Sequence, residues 1–117
     1  MKFKFENLII WQKAMDFAEE MNLLSDNFPK KEIFNLSSQI LRASDSIALN
    51  ISEGAIGQSN PEFRRFMGYS IRSLAEVVTC LHKAKRRNYI TEEVFNVHYE
   101  YAFNLMNMMT AFKQKIK

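Results

Sequence analysis

Residues 36–54 alternate apolar and polar side chains with the period of an α-helix. Spacings of four, three, four and four residues separate the apolar members of this repeat, which are Leu36, Ile40, Ala43, Ile47 and Ile51. An α-helix turns once in about 3.6 residues, so positions with these spacings share one face. The pattern therefore predicts a helix that places this face against the core of the protein.

Three further segments, at 10–24, 63–84 and 94–112, show the same helical repeat of apolar residues. The second helix begins between Lys30 and Leu36, since Asn35 is also a suitable helix cap. The predicted helices span residues 9–26, 32–55, 60–87 and 91–115.

Turn and capping residues support these limits. Pro29 disfavours helical backbone at Phe28 and so ends the first helix. Ser59 is a good cap, and Pro61 suits the first turn of the helix that follows it. Thr91 precedes two glutamates, an arrangement typical of another helix start.

Short connections between long helices require each helix to run antiparallel to the one before it. The predicted fold is therefore all-α, an up-down-up-down antiparallel four-helix bundle. A chain of 117 residues buries roughly two-thirds of its unfolded surface in one core. We accordingly predict a single domain over residues 1–117.

Two of the helices carry more apolar surface than one core requires. The second helix has Leu41, Ala48 and Leu49 away from its main stripe, and the fourth repeats apolar residues along two stripes. Copies of the same chain in a closed ring or dimer would cover this surface. Alternatively, both stripes of the fourth helix contribute to a single broad core face.

Composition narrows the class of protein. Hydrophobic residues make up 47% of the chain and charged residues 25%, with three Gly and two Pro, which is typical of a compact helical domain. No run approaches the about 20 apolar residues of a membrane helix, and the first residues lack the apolar core of a signal peptide. We therefore expect a cytoplasmic protein. Cys80 has no partner for an internal disulfide, and we expect it to be buried.

Basic residues cluster on the third helix, and the net charge is +3. Phosphates bind cations, so these residues are the candidate nucleic-acid ligands. They are Arg64, Arg65, Arg72, Lys83, Lys85, Arg86 and Arg87, with His82 beside them. The alternative is that the cations of the last turn are solvated and stabilise the helix dipole.

A polar stripe runs beside the apolar stripe of the second helix, about a quarter-turn away. It consists of Gln39, Arg42, Ser46, Asn50 and Glu53. Polar groups near a core must be hydrogen-bonded, so we interpret this stripe as a network that fixes helix register or a subunit contact.

The sequence gives no pattern typical of an enzyme. Neither His82 nor His98 has an acidic residue three positions before it, as a di-iron bundle requires, and Cys80 is the only thiol. The segment 54–59 contains two glycines but lacks the lysine of a phosphate-binding loop. We predict no catalytic residues, metal site, cofactor or small-molecule substrate.

The chain resembles the four-helix-bundle proteins encoded within intervening sequences of 23S ribosomal RNA genes, also known as the S23-type family. The residues that carry the resemblance lie along most of the chain. They are Phe5, Glu6, Leu8, Trp11, Gln12, Lys13 and Ala14; Phe28, Pro29 and Glu32; Leu36, Gln39, Arg42, Ala43, Ser46, Ile47, Asn50, Ile51, Glu53 and Gly54; and Ser59, Glu62, Phe63, Phe66, Ser73, Leu74 and Glu76.

The resemblance implies a bundle that assembles as a ring, with pentamers typical of relatives. The chain is also similar to accessory variability proteins of diversity-generating retroelements, which implies binding of nucleic acid. It departs from the family at Leu41, where a basic residue is common, and at Gly57 and Gln58, where the loop often holds one. We expect a non-enzymatic homo-oligomeric bundle, pentameric as the resemblance implies, that binds structured RNA or DNA, or an oligomeric scaffold without nucleic-acid binding.

Overall fold

The computed structural model describes residues 2–117 and contains four α-helices and two short 3₁₀ turns, with no β-strand in that range. Met1, which the predicted domain includes, lies outside the described residues. The all-α prediction is confirmed. The helices are α1 (Ile9–Ser25), α2 (Leu36–Ile56), α3 (Asn60–Arg86) and α4 (Glu92–Lys115), and the 3₁₀ turns are Lys4–Asn7 and Lys30–Glu32.

Neighbouring helices run antiparallel around one core. α2 packs on α1 and α3, and α4 packs on α3 and α1, so that α1 and α3 lie diagonally opposite. The start of α3 meets the end of α4, where Arg64 Nη1 donates to the carbonyl of Ile116 at 3.0 Å. The end of α2 meets the start of α3 through Gly54 and Phe66. These contacts confirm the up-down-up-down bundle, which measures 43 × 25 × 23 Å.

The predicted apolar face of α2 forms the centre of this core. All five of its apolar positions are buried. The buried residues of the repeat on α1 are Ile10, Ala14, Phe17, Met21 and Leu24, and those on α3 are Met67, Leu74, Val77, Leu81 and Ala84. Ser70 is a polar residue within the buried repeat of α3, and its hydroxyl donates to the carbonyl of Ile47 at 2.8 Å. The hydrogen bond satisfies this buried hydroxyl and ties α3 to α2.

α4 supplies the core from both of its predicted stripes. Phe95, Ala102 and Met109 are buried from one stripe and Leu105 from the other. Val97 lies on the flank of this face with 65% of its surface exposed. One broad face of α4 therefore serves the core, and apolar side chains remain accessible beside it.

The start of α2 lies at the late end of the predicted interval between Lys30 and Leu36. Lys30–Glu32 forms a 3₁₀ turn, and α2 begins at Leu36. Glu32 does not enter the helix because its carboxylate turns back, accepting hydrogen bonds from Asn35 Nδ2 at 3.0 Å and from the Leu36 amide at 3.4 Å. The carboxylate of Glu32 therefore caps α2, and Asn35 makes no side-chain cap hydrogen bond.

The other predicted helix starts are confirmed. Ser59 Oγ accepts from the Glu62 amide at 3.3 Å at the start of α3. Thr91 Oγ1 accepts from the Val94 amide at 3.2 Å at the start of α4. Each hydroxyl satisfies one of the amides that a helix leaves unpaired at its first turn.

None of the helices described within residues 2–117 has the length and apolar character of a membrane span.

Candidate nucleic-acid interface

Four of the seven predicted nucleic-acid ligands lie on one outward side of α3. Spacings of seven, eleven and three residues separate Arg65, Arg72, Lys83 and Arg86, and such spacings keep side chains on one broad side of a helix. The three arginines are exposed and the lysine is half-buried. At about 1.5 Å of rise per residue the set extends over roughly 30 Å. We call these four residues the α3 basic stripe.

Lys113 of α4 adds a fifth cation to this side of the molecule. Its Nζ lies 3.7 Å from the position that a Cβ on Gly68 would occupy, between Arg65 and Arg72 along α3. Gly68 leaves room for the lysine to cross towards the stripe. The sequence pattern gives no signal for this contact, because it joins positions far apart in the chain.

Two glutamates lie beside the stripe. Glu62 Oε2 is 3.7 Å from Arg65 Nη2, but both side chains are accessible to solvent, so the pair contributes little to stability. Glu76 follows Arg72 by four residues and is exposed, which lowers the positive potential near the middle of the stripe. The cations still outnumber the acids along this face.

Arg64 and Lys85 are engaged elsewhere. Arg64 bonds the carbonyl of Ile116 and joins the ends of α3 and α4. Lys85 Nζ is 3.6 Å from Glu92 Oε1 and 4.6 Å from the centre of the Phe95 ring. Both cations help to hold α4 against α3, and the structure does not align them with the stripe.

Arg87 belongs to a polar cluster around the buried carboxylate of Glu32. The Glu32 side chain is only 6% exposed, and its Oε2 accepts from Tyr89 Oη at 2.6 Å and from Arg87 Nη1 at 3.1 Å. The hydrogen bond from Tyr89, together with that of the Leu36 amide and the charge of Arg87, lowers the pKa of the Glu32 carboxyl despite its burial. Arg87 therefore pairs with this carboxylate, whereas its neighbour Arg86 faces solvent in the basic stripe.

A left-handed residue between the two donors makes this cluster possible. Asn88 has a φ of 62°, a conformation that asparagine tolerates better than most residues. The chain reverses there, and the Tyr89 amide donates to the carbonyl of Ala84 at 2.9 Å. Arg87 and Tyr89 consequently approach Glu32 from one turn.

Within the described residues, 2–117, the polar stripe of α2 links no two helices. Asn50 Nδ2 donates to the carbonyl of Ser46, and Ser46 Oγ donates to the carbonyl of Arg42, each at 2.8 Å. Gln39 Nε2 lies 3.5 Å from Asn35 Oδ1, and Glu53 is exposed. Within residues 2–117 these side chains bond only to their own helix or its cap, so a role in a subunit contact stays a prediction.

The histidines and the cysteine occupy different environments. His98 is half-buried in a groove of about 540 Å³ between α1 and α4, where burial lowers its pKa against the charge of Glu20. His82 is exposed on α3. Cys80 is buried as expected, and burial raises the pKa of its thiol. Residues 2–117 contain no cluster of three or more His, Cys, Asp or Glu side chains placed to hold a metal ion.

Comparison with known proteins assigns the family. The fold is similar to the crystal structure of a protein of unknown function from the S23 ribosomal protein family of Bacteroides thetaiotaomicron VPI-5482, with a TM-score of 0.84 and 23% identity over 92% of this chain and 96% of that chain. None of the curated proteins matches the sequence. The model of the 23S rRNA-intervening sequence protein family matches residues 6–111. Neither match names an enzymatic activity. This chain therefore belongs to the 23S rRNA-intervening sequence protein family.

Proposed function

We propose that this protein is a non-enzymatic, homo-oligomeric bundle that binds structured RNA or DNA through the α3 basic stripe. The observation that carries the proposal is the alignment of Arg65, Arg72, Lys83 and Arg86 on one accessible side of a long helix. Lys113 reaches the same side from α4. A row of cations over roughly 30 Å matches the repeated charge of a phosphate backbone.

Phosphate binding by this stripe is electrostatic. Each cation that neutralises a phosphate releases a condensed counterion, so affinity falls with salt by a slope of about 0.7 to 0.9 per contact. Several copies of the stripe in one assembly would bind a single nucleic acid through many weak contacts, which add through multivalency.

Exposed apolar side chains support the homo-oligomeric part of the proposal. Large apolar residues with more than half of their surface exposed occur on three of the helices and on the connection between α1 and α2. They include Ile9, Leu23, Phe34, Leu49, Ile56 and Val97. Association of copies would remove such surface from water, and a closed pentameric ring is the form that we propose.

A cytoplasmic location is part of the proposal. Cys80 is a free, buried thiol, and reducing compartments keep thiols in this form. RNA and DNA are also accessible there.

The test removes four cations from the α3 basic stripe by changing Arg65, Arg72, Lys83 and Arg86 to Gln. We expect weaker binding of a structured RNA and a salt slope reduced by about 3 to 4. The matched control changes Lys2, Lys4, Lys30 and Lys31 to Gln, since these lysines are also exposed and the same charge is removed. An unchanged slope in the stripe variant, or equal losses in both variants, would reject the stripe as the binding surface.

The second candidate function is an oligomeric scaffold that binds no nucleic acid. Phe34 favours it, because this aromatic side chain is 97% exposed, and exposed aromatic residues are typical of protein contacts. An assembly that binds neither RNA nor DNA near 50 mM salt, where phosphate contacts are strong, would support the scaffold over the first proposal.

A further inference from the structure

A small apolar groove lies between α3 and α4. Its volume is about 210 Å³. Pockets that hold a whole small molecule are typically larger, with volumes of about 300 Å³ or more. Ala75 and Ala102 leave space between the helices, and larger side chains form the walls. The lining consists of Ala75, Val78, Tyr99, Ala102, Phe103 and Met106.

Two aromatic side chains of this groove are open to solvent. Tyr99 is 41% exposed and Phe103 is 53% exposed. The Tyr99 ring also stacks on Phe95, with ring centres 5.5 Å apart and planes inclined by 27°. The His82 ring packs edge-to-face against the same pair, and its centre lies 4.8 Å from the centre of the Phe95 ring. These contacts hold Tyr99 in place as a rigid aromatic wall.

The groove borders the α3 basic stripe. Ala75, in the lining, follows Arg72 by three residues and precedes Lys83 by eight on the same helix. These spacings place one cation about a turn before the groove and another about 12 Å beyond it. Arg72 and Lys83 therefore lie on the two sides of the groove along α3, with the exposed Glu76 between them, while the interior of the groove is apolar and aromatic.

We infer that the groove binds one unpaired base of the nucleic acid while the α3 basic stripe binds the phosphates on either side of it. Aromatic rings beside a positive track are the arrangement by which proteins bind single-stranded segments, because every base has a face that stacks. Bases within a duplex are already stacked on one another and cannot enter. The ligand class is thus RNA or DNA with an accessible loop, bulge or single-stranded end.

This inference rests on the proposed function and narrows its ligand. The alternative occupant is a second copy of the chain, since an exposed apolar groove is also suited to a subunit contact. Charge favours the nucleic acid, because Arg72 and Lys83, on the two sides of the groove, outnumber the single acid Glu76 between them and match phosphates.

The test compares binding of a labelled single-stranded RNA with binding of the blunt duplex made from the same strand, using the full chain. Tyr99→Leu and Phe103→Leu keep the groove apolar but remove the stacking surface. We expect each to weaken single-strand binding by about 5-fold or more and to leave duplex binding unchanged. Phe103→Trp should retain the affinity. Tyr69→Leu is the matched control, because Tyr69 is 38% exposed and lies beside the stripe on the flank away from the groove.

Each outcome separates the two proposals. Loss of single-strand affinity in the groove variants alone supports the inference. Equal effects on single strand and duplex, or equal loss in Tyr69→Leu, overturn it and leave stripe binding intact. Binding of neither probe by the unmodified protein overturns both proposals. A fall in assembly mass on Phe103→Leu, measured by light scattering, assigns the groove to a second copy and also overturns the inference.

Discussion

The Tyr89 hydroxyl donates a hydrogen bond of 2.6 Å to Oε2 of Glu32 and thereby links the α3–α4 turn to the connection between α1 and α2. Arg87 reaches the same oxygen at 3.1 Å, and Asn35 and the Leu36 amide bond the other one. A buried carboxylate is stable only when its oxygens are paired in this way. Glu32 therefore joins both connections at one end of the bundle and caps α2.

Tyr89→Phe should lower the midpoint of thermal unfolding. The change removes one donor from a buried carboxylate and keeps the aromatic ring that packs on Phe28, with ring centres 5.6 Å apart. Because the packing is preserved, the fall in the unfolding midpoint measures the contribution of the hydrogen bond. Tyr69→Phe is the control, since that hydroxyl is on an exposed side chain. Equal midpoints for both variants would contradict the role assigned to Tyr89.

The stability that Glu32 provides should depend on pH. Its folded-state pKa lies below the ordinary value because of the Tyr89 hydrogen bond and its other donors, so the folded protein favours the ionised form. This stability is complete above the unfolded-state pKa and is lost as pH falls through the folded-state pKa. Glu32→Gln should therefore be less stable than the unmodified protein at neutral pH. Urea unfolding from about pH 7 downward should show the difference shrinking below about pH 5; a constant difference would contradict the mechanism.

Arg86 and Arg87 are adjacent in sequence and should respond differently to substitution. Arg87→Gln removes the ionic partner of Glu32 and should reduce stability with little effect on the salt slope of RNA binding. Arg86→Gln removes an exposed cation and should reduce that slope by about 1 without a change in stability. Unfolding curves and salt titrations of the two variants provide the comparison. The reverse pattern would show that Arg87 is the phosphate ligand.

Gly54 and Gly68 should show opposite effects when changed to Ala. A Cβ on Gly54 would lie 2.8 Å from Phe66 Cβ and 2.9 Å from Phe63 Cδ1, so the α2–α3 contact must open. Such overpacking costs about 1 to 3 kcal/mol, more than the gain of about 0.8 to 1 kcal/mol in helix propensity. A Cβ on Gly68 meets only Lys113 Nζ at 3.7 Å, so Gly68→Ala should be stabilising. Denaturant unfolding measures the stability of both variants. A Gly54→Ala variant as stable as the unmodified protein would show that α2 and α3 can separate without cost.

Local periodicity was sufficient to predict the helices and their buried faces. Ile40, Ile47 and Ile51 are buried where the spacing placed them, because the helical period depends only on neighbouring positions. Caps such as Ser59 and Thr91 were predictable for the same reason.

Contacts between distant segments were not predictable from these patterns. The Glu32 carboxylate bonds Arg87 and Tyr89, which lie more than fifty positions away, and no local pattern in the sequence indicates either bond. Gly54 lies inside α2, as the predicted limit at residue 55 allows, but the sequence gives no signal for its contacts with Phe63 and Phe66. The sequence predicted a cluster of basic residues on the third helix but gave no signal for Lys113.

Asn50→Leu tests whether the polar stripe of α2 forms a subunit contact. Asn50 is half-buried and bonds only the carbonyl of Ser46 in its own helix, so its replacement removes no link between helices of one chain. If the stripe faces another copy, leucine would leave polar groups of the partner unpaired, at a cost of about 1 to 3 kcal/mol for each. We therefore expect a lower assembly mass in light scattering, while circular dichroism retains the helical signal. Ser52→Ala is the control, since Ser52 also bonds only its own helix but lies outside the stripe. Normal assembly of Asn50→Leu combined with weaker RNA binding would instead identify the stripe as part of a ligand site.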